Sequence, residues 1–175
     1  SQDFQDKVVL ITGGSRGLGK AMAHGFAARG ANLAIVSRKL EGCDATATEL
    51  REAYGIDTFT RSTHVGDWDD LDRMVEAVIE RFGRIDVLVN NAGMSPLYPS
   101  LSEVSEALFD KVVSVNLKGP FRLMANVGER MMNGDGGAII NISSTASVNK
   151  SPTSEPYGAA KAGLNNLTRS FAAAY

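Results

Sequence analysis

The sequence predicts an α/β protein: a doubly wound parallel sheet in a three-layer α/β/α sandwich, built as one domain over residues 1–175. Three observations predict it. Short apolar runs alternate with longer segments of helical period along the whole chain. Several runs are continuously apolar, as strands buried on both faces should be. The residues that punctuate the chain or carry chemistry cluster just after those runs. Alternation of this kind implies crossover connections and hence a parallel sheet.

Val8–Thr12 reads as the first strand, followed by a glycine-rich turn and a helix over Gly17–Arg29. Asn32–Ser37 is the second strand and Leu40–Tyr54 the helix behind it. Thr58–Val65 is the third strand. The next helix, Asp69–Phe82, is the clearest: Leu71, Met74, Val75, Val78, Ile79 and Phe82 keep the i, i+3, i+4, i+7 spacing of one buried stripe. The run Asp67-Trp68-Asp69-Asp70 places acid at its N-terminus, where the helix dipole favours it. Asp86–Asn90 is the fourth strand, Ser105–Met132 a long helix, Ala138–Ile142 the fifth strand and Tyr157–Tyr175 the last helix. The chain stops inside that helical pattern with no glycine cap, proline or turn behind it. A fragment or incomplete chain, lacking a substrate-covering segment, is therefore expected.

At 175 residues, 43% apolar and 22% charged, the chain can bury a real core and is neither disordered nor collagen-like. Its 18 basic and 20 acidic side chains leave a net charge of −2, which lacks the basic face that nucleic-acid binding needs. No apolar run nears the roughly 18 residues of a membrane span. No basic-then-apolar targeting segment opens the chain, so a cytoplasmic location is expected. The single cysteine, Cys43, rules out an internal disulfide and suits a reducing compartment. With two histidines and one cysteine, a His/Cys zinc cage lacks ligands and no metal is expected. Glycine stands out at 18 residues, about one in ten against a usual share of roughly 7%.

Ligands of open α/β sheets bind beyond the carboxyl ends of the strands. The windows to read are therefore Gly13–Gly19, Ser37–Lys39, His64–Asp67, Asn90–Ser95 and Ser143–Pro156. The first, Thr12-Gly13-Gly14-Ser15-Arg16-Gly17-Leu18-Gly19, joins a strand to a helix. Its glycines allow a tight turn and close approach of backbone N–H groups to phosphate, and the helix N-terminus favours an anion. The spacing is G-x-x-x-G-x-G rather than G-x-G-x-x-G. Gly14, Gly19 and Lys20 also satisfy the phosphate loop of many NTPases, but Ala21 stands where a hydroxyl should ligate magnesium.

A fold of this kind that selects NAD places an acid about 20 residues beyond the glycines, on the ribose 2′-hydroxyl. Here Ser37 stands at that place, followed by Arg38 and Lys39. Arg38 can form paired hydrogen bonds to a 2′-phosphate, and Arg16 can reach the same group. NADP(H) is therefore expected as the preferred cofactor, with NAD(H) possible.

Tyr157 and Lys161, at i and i+4, share a helix face. Ser143 and Ser144 leave the fifth strand, so a hydroxyl at the strand end can face a phenol at the helix start. A phenol titrates near pH 10 and an adjacent cation favours its ionised form. Carbonyl reduction needs hydride on carbon and a proton on oxygen, work that suits a tuned tyrosine beside a nicotinamide.

In these ordered motifs (Thr12–Gly19, Asn90-Asn91-Ala92-Gly93, Asn116, Ser144 and Tyr157-x-x-x-Lys161) the chain resembles the short-chain dehydrogenase/reductase family over nearly its whole length. The resemblance implies a Rossmann-like fold that binds NAD(P), and an Asn116–Ser144–Tyr157–Lys161 catalytic group. It makes Tyr157 the general acid/base and gives the substrate oxygen to Ser144. Lys161 would hold the nicotinamide ribose and lower the tyrosine pKa, and Asn116 would hold a relay water. The cofactor would lie against Gly13, Ser15, Arg16, Gly17, Leu18, Gly19, Ser37, Arg38, His64, Val65, Asn90, Ala92 and Gly93, as well as Tyr157 and Lys161. Many relatives carry Asp-Val where this chain has His64-Val65; a neutral imidazole still donates or accepts one hydrogen bond. A homodimer or homotetramer built on the helices Ser105–Met132 and Tyr157 onward is also implied.

The activity expected is NADP(H)-dependent interconversion of a ketone or aldehyde and an alcohol, with a small-molecule substrate and no nucleic-acid or membrane partner. Met94, Ser95, Leu97, Val148 and Glu155 are candidates for the substrate pocket. A non-catalytic NADPH sensor is the alternative; the intact Ser144, Tyr157 and Lys161 set counts against it. A methyltransferase, which also uses a glycine loop, would leave Arg16, Arg38 and the Tyr–Lys pair without a task.

Overall fold

The computed structural model describes residues 3–150 and 152–175. Five parallel strands form one sheet in the order β3-β2-β1-β4-β5. They are β1 (Val8–Thr12), β2 (Asn32–Ser37), β3 (Thr58–Ser62), β4 (Val87–Asn90) and β5 (Ala138–Asn141). The helices are α1 (Gly17–Ala27), α2 (Leu40–Tyr54), α3 (Trp68–Phe82), α4 (Glu106–Val113), α5 (Gly119–Met132) and α6 (Glu155–Ala174).

Every residue of β1 and β4 is buried, because helices cover both faces of the sheet. Side chains alternate between those faces along a strand. Val8, Leu10, Ala34, Val36 and Leu88 pack with α3 and α5, while Val9, Ile11, Leu33, Ile35 and Val89 pack with α1 and α2. The order β3-β2-β1 on one side and β4-β5 on the other puts a switch point between β1 and β4. A crevice opens there, beyond their carboxyl ends.

Three boundaries depart from the sequence reading. The third strand stops at Ser62 instead of Val65. Thr63 still donates to Ser37 O at 2.9 Å, but the chain then turns, with Asp67 N donating to His64 O at 2.9 Å. The expected long helix Ser105–Met132 is two helices, α4 and α5, joined by a π-helical turn over Ser114–Lys118. The last helix begins at Glu155, one turn ahead of Lys161's turn and two residues before Tyr157.

Candidate functional site

A cleft of about 770 Å³ occupies the crevice. Its walls are the Gly13–Gly19 loop, Ser37–Lys39, Thr63–Val65 and Asn91–Met94, with Val115 from the π-turn. Among the residues expected against a cofactor, Gly13, Ser15, Arg16, Gly17, Leu18, Gly19, Ser37, Arg38, His64, Val65, Ala92 and Gly93 line it. Asn90 does not: it is buried, and its amide donates to Asn141 Oδ1 at 2.9 Å, bracing β4 against β5. Glu41, Gly42 and Ala45 also line the cleft. Sequence reading missed them, although positions 41 and 45 share one face of α2, four and eight residues beyond Ser37.

The loop geometry explains its glycines. Gly13 has φ +67°, and a Cβ there would lie 2.9 Å from Asn91 Nδ2. A Cβ at Gly19 would strike the carbonyl oxygen of Gly13 and come within 2.6 Å of Asn91 Nδ2. The helix therefore starts close against the strand end, and its uncapped first turn, Gly17 to Gly19, borders the cleft. α1 has no acid in its first turn to compete for that place. Thr12 and Asn91 weld the two strand ends together. Thr12 Oγ1 accepts from Asn91 N and Ala92 N at 3.0 and 3.1 Å, and Asn91 Nδ2 donates to the Thr12 and Gly13 carbonyls at 3.0 and 3.2 Å. Neither bracing role was visible in the sequence, since each joins residues about 80 positions apart.

Electrostatically the end of the cleft beside β2 is cationic. Arg16, Arg38 and Lys39 line it, exposed, and none forms an ion pair among the described residues. Glu41 is the one acid in the lining. His64 Nδ1 accepts from Gly66 N at 3.1 Å, so the neutral ring carries its proton on Nε2 and offers a donor. The turn bearing His64 is tethered by Asp70, which accepts from His64 N at 3.2 Å and from Arg61 at 2.8 Å. Burial works against the Asp70 carboxylate, but the Arg61 bond and the His64 N–H hold its pKa below the usual range.

The four residues expected to do chemistry stand on three elements behind Gly93 and Met94; Tyr157 and Lys161, expected against a cofactor, are not among the residues that line the cleft. Lys161 is 2% exposed, and its Nζ donates to Ile142 O at 2.7 Å. Burial alone pulls its pKa below the ordinary lysine value. Nζ lies 5.7 Å from the centroid of the Tyr157 ring and 3.6 Å from where a Cβ on Gly93 would sit. The tight neighbour at Gly93 is Asn116 Oδ1, 2.9 Å from that Cβ position. Ser144 caps the short 3₁₀ turn Thr145–Ser147, accepting from Ala146 N at 3.2 Å, and its O–H stays free to donate. α6 packs on this turn so closely that a Cβ at Gly158 would lie 2.8 Å from Ala146 O.

Asn116 sits in the π-turn, fully buried. Its amide donates to Met94 O and Val112 O at 2.8 and 2.9 Å, and its Oδ1 accepts from Met94 N at 3.1 Å. Both amide N–H groups are thus committed to the backbone, which fastens Met94 and the wall behind Lys161. Leu97 and Val148, expected near a substrate, are 86% and 78% exposed.

A dinucleotide fits these features: backbone N–H groups for a pyrophosphate, cations at one end and a lysine–tyrosine pair behind Gly93. Known proteins agree. The chain is 42% identical over 174 residues to an uncharacterized oxidoreductase of Thermotoga maritima, covering 99% of this chain and 67% of that one. A metagenomic short-chain oxidoreductase solved with NADP superposes with a TM-score of 0.92 at 34% identity, over 97% of this chain and 76% of the other. An NAD+-bound xylitol dehydrogenase superposes at 0.91 with 28% identity, over 96% and 64%. The chain spans 60% to 67% of the length of the curated relatives it matches. Residues 7–175 fit the sequence profile of the short chain dehydrogenases, and this chain belongs to that family.

Proposed function

We propose that residues 1–175 form a single cofactor-binding and catalytic domain of an NADP(H)-preferring oxidoreductase that interconverts a ketone or aldehyde and an alcohol. The observation that carries this reading is the convergence of the buried Lys161, Tyr157 and the Ser144 turn beside Gly93, itself a wall of a phosphate-suited cleft. A bound nicotinamide dinucleotide would supply or accept the hydride. The other work falls to side chains of this protein. Ser144 donates its free O–H to the substrate oxygen, and Tyr157 passes a proton to that oxygen in reduction or takes it in oxidation. Lys161, fixed by Ile142 O, places its cationic end beside the phenol and the cofactor ribose. With the Asn116 side chain committed to Met94 and Val112, a relay water would be held by backbone groups of the π-turn. Ala92 and Gly93 would line the adenosine side, with Val65 and His64 flanking the adenine, where His64 presents Nε2–H.

The preference for NADP(H) rests on three unpaired cations, Arg16, Arg38 and Lys39, against the single acid Glu41, and on Ser37 in place of an acid at the end of β2. Fluorescence titration of the intact protein should give NADPH binding at least about tenfold tighter than NADH, roughly 1.4 kcal/mol. Equal affinities would remove the phosphate argument. Tyr157→Phe should abolish turnover with cofactor affinity unchanged; retained turnover would end the acid/base assignment.

The same reading makes the protein a homodimer or homotetramer built on α4, α5 and α6, supported by partly exposed aromatic residues on those helices. It also makes it a cytoplasmic protein, in keeping with its one buried, unpaired cysteine. No helix among the described residues is long and apolar enough to cross a membrane.

A further inference from the structure

The helix that carries Tyr157 and Lys161 begins without the usual help. Ser154 is its N-cap, yet no side-chain capping bond comes from that residue. Pro156 brings no N–H, and the first intrahelical bond is Gly158 N to Ser154 O at 2.8 Å. The N–H of Glu155, which also faces its own carboxylate, donates to a residue 57 positions earlier: Tyr98 Oη accepts from it at 2.9 Å. The same hydroxyl donates to Glu155 Oε2. One phenol thus closes a two-point clasp on the first residue of α6, reaching over from the segment that follows β4.

We propose that Tyr98 is a positioning residue for Tyr157: its hydroxyl, held by both the N–H and the carboxylate of Glu155, fixes the first turn of α6 and with it the phenol that acts in turnover. The proposal rests on the acid/base assignment of Tyr157 made above. The rest of that turn is already confined. Gly158 abuts Ala146 O, and Asn165 Nδ2 reaches Ser147 Oγ at 2.9 Å on the same flank. Farther along, Lys161 is tied to Ile142 O. Those contacts fix the side of α6 toward Ser144; at its leading end the Glu155 carboxylate also takes backbone N–H groups of Thr153, Ser154 and Glu155, and Tyr98 ties that end to the segment after β4. The clasp spans neutral pH in the required states. The Tyr98 bond holds the Glu155 carboxyl below the usual range, while burial and then the carboxylate push the Tyr98 phenol up. Donor and acceptor therefore keep their roles.

A small displacement of a reacting group is costly, because proton transfer needs near-contact geometry. The test uses the intact protein and NADPH-dependent reduction of whichever aliphatic, cyclic or aryl ketone the wild type turns over fastest. Tyr98→Phe keeps the ring and removes both bonds. It should lower kcat about 10- to 100-fold, with NADPH Kd changed less than about twofold and KM little affected. Glu155→Ala removes only the carboxylate half and should lower kcat less, and the double variant should be no worse than Tyr98→Phe, which already breaks the whole clasp. Glu155→Gln keeps a carbonyl acceptor and the N–H, and should retain most of kcat. Wild-type kcat in Tyr98→Phe overturns the proposal. So does a fall in melting temperature alone, with kcat per folded site unchanged, since that is a merely structural role. Tyr157→Phe runs beside these variants. If it is active, the acid/base assignment fails and the proposal with it; if it is dead while Tyr98→Phe is fully active, only the proposal fails. Where no ketone is reduced, the ¹³Cζ resonance of Tyr157, assigned by its loss in Tyr157→Phe, gives the reading. It should shift in Tyr98→Phe and stay in place in Glu155→Gln, and an unmoved resonance in Tyr98→Phe overturns the proposal.

Discussion

Single atoms decide how this site is built. Gly19 illustrates it: the position has no room for a methyl group against the Gly13 carbonyl, a backbone atom that cannot swing aside. Gly19→Ala should therefore cost about 2 kcal/mol or more and weaken NADPH binding. Denaturant unfolding and a fluorescence titration check it, and a variant of wild-type stability and affinity would show that the loop relaxes freely. Asp86 is the second case, at the opposite end of the sheet. It accepts from Val8 N at 2.9 Å and from Arg84 Nε at 2.9 and 3.0 Å, with Lys7 at 3.4 Å. Burial pushes its pKa up, but the Arg84 bonds, the Val8 N–H and the nearby charges outweigh that and leave it below the usual value. A depressed folded pKa adds stability that is fully present above the unfolded value, near about 4, and is lost as pH falls through the folded one. The stability gap between wild type and Asp86→Asn should be flat above about pH 5 and close below about pH 4. Urea melts across that range read it, and a gap that persists at low pH would rule the carboxylate out as its source.

At the scale of elements, capping chemistry and helix interruptions set where the site residues stand. α3 starts at Trp68 because Asp67 accepts from Asp70 N at 2.9 Å, the bond a good N-cap makes. Asp67→Ala should cost about 1 kcal/mol and loosen the His64 turn, since Asp67 N also bonds His64 O. Thermal unfolding measures the first effect, and hydrogen exchange at residues 64–67 the second; unchanged exchange would separate the cap from the turn. The strands were legible because a sheet covered on both faces demands unbroken apolar runs such as Val8-Val9-Leu10-Ile11. The break between α4 and α5 was not. Ser114-Val115-Asn116-Leu117-Lys118 contains neither glycine nor proline, and a π-turn keeps helical dihedrals, so the periodicity runs straight through it. The break serves a tertiary contact: Asn116 reaches the Met94 backbone, while its amide also takes the Val112 carbonyl four residues back in the same helical segment. The third strand was overextended for a related reason: Thr63 still pairs with Ser37, and only Gly66 hinted at the turn that follows.

For the whole molecule, topology alone located the cleft, since the windows after β1 to β4 line it as the switch-point rule requires. The bonds that brace the site lay beyond that rule. Thr12 to Asn91 and Tyr98 to Glu155 are pairings that only the folded chain creates. The sheet accounts for the buried apolar residues but not for the aromatic ones outside it. Trp68, Phe121, Phe171 and Tyr175 run in sequence across α3, α5 and α6, with ring centroids 6.2, 5.6 and 5.6 Å apart. Phe121 and Tyr175 remain 38% and 47% exposed, and Phe109 on α4 is 46% exposed. Arg122 and Lys118 lie 4.8 and 5.8 Å from the Trp68 ring, rimming the patch with charge. An apolar centre with a charged rim is the pattern of an interface, and aromatic residues carry most of the energy in such surfaces. On the oligomer proposed above, Phe121→Glu in the intact protein should shift the light-scattering mass from dimer or tetramer to monomer. Its melting temperature should also fall, because the ring packs on Trp68 and Phe171 within the chain, so the mass and not the melting temperature decides. An unchanged mass would place the subunit interface elsewhere, leaving the aromatic run as packing within one chain.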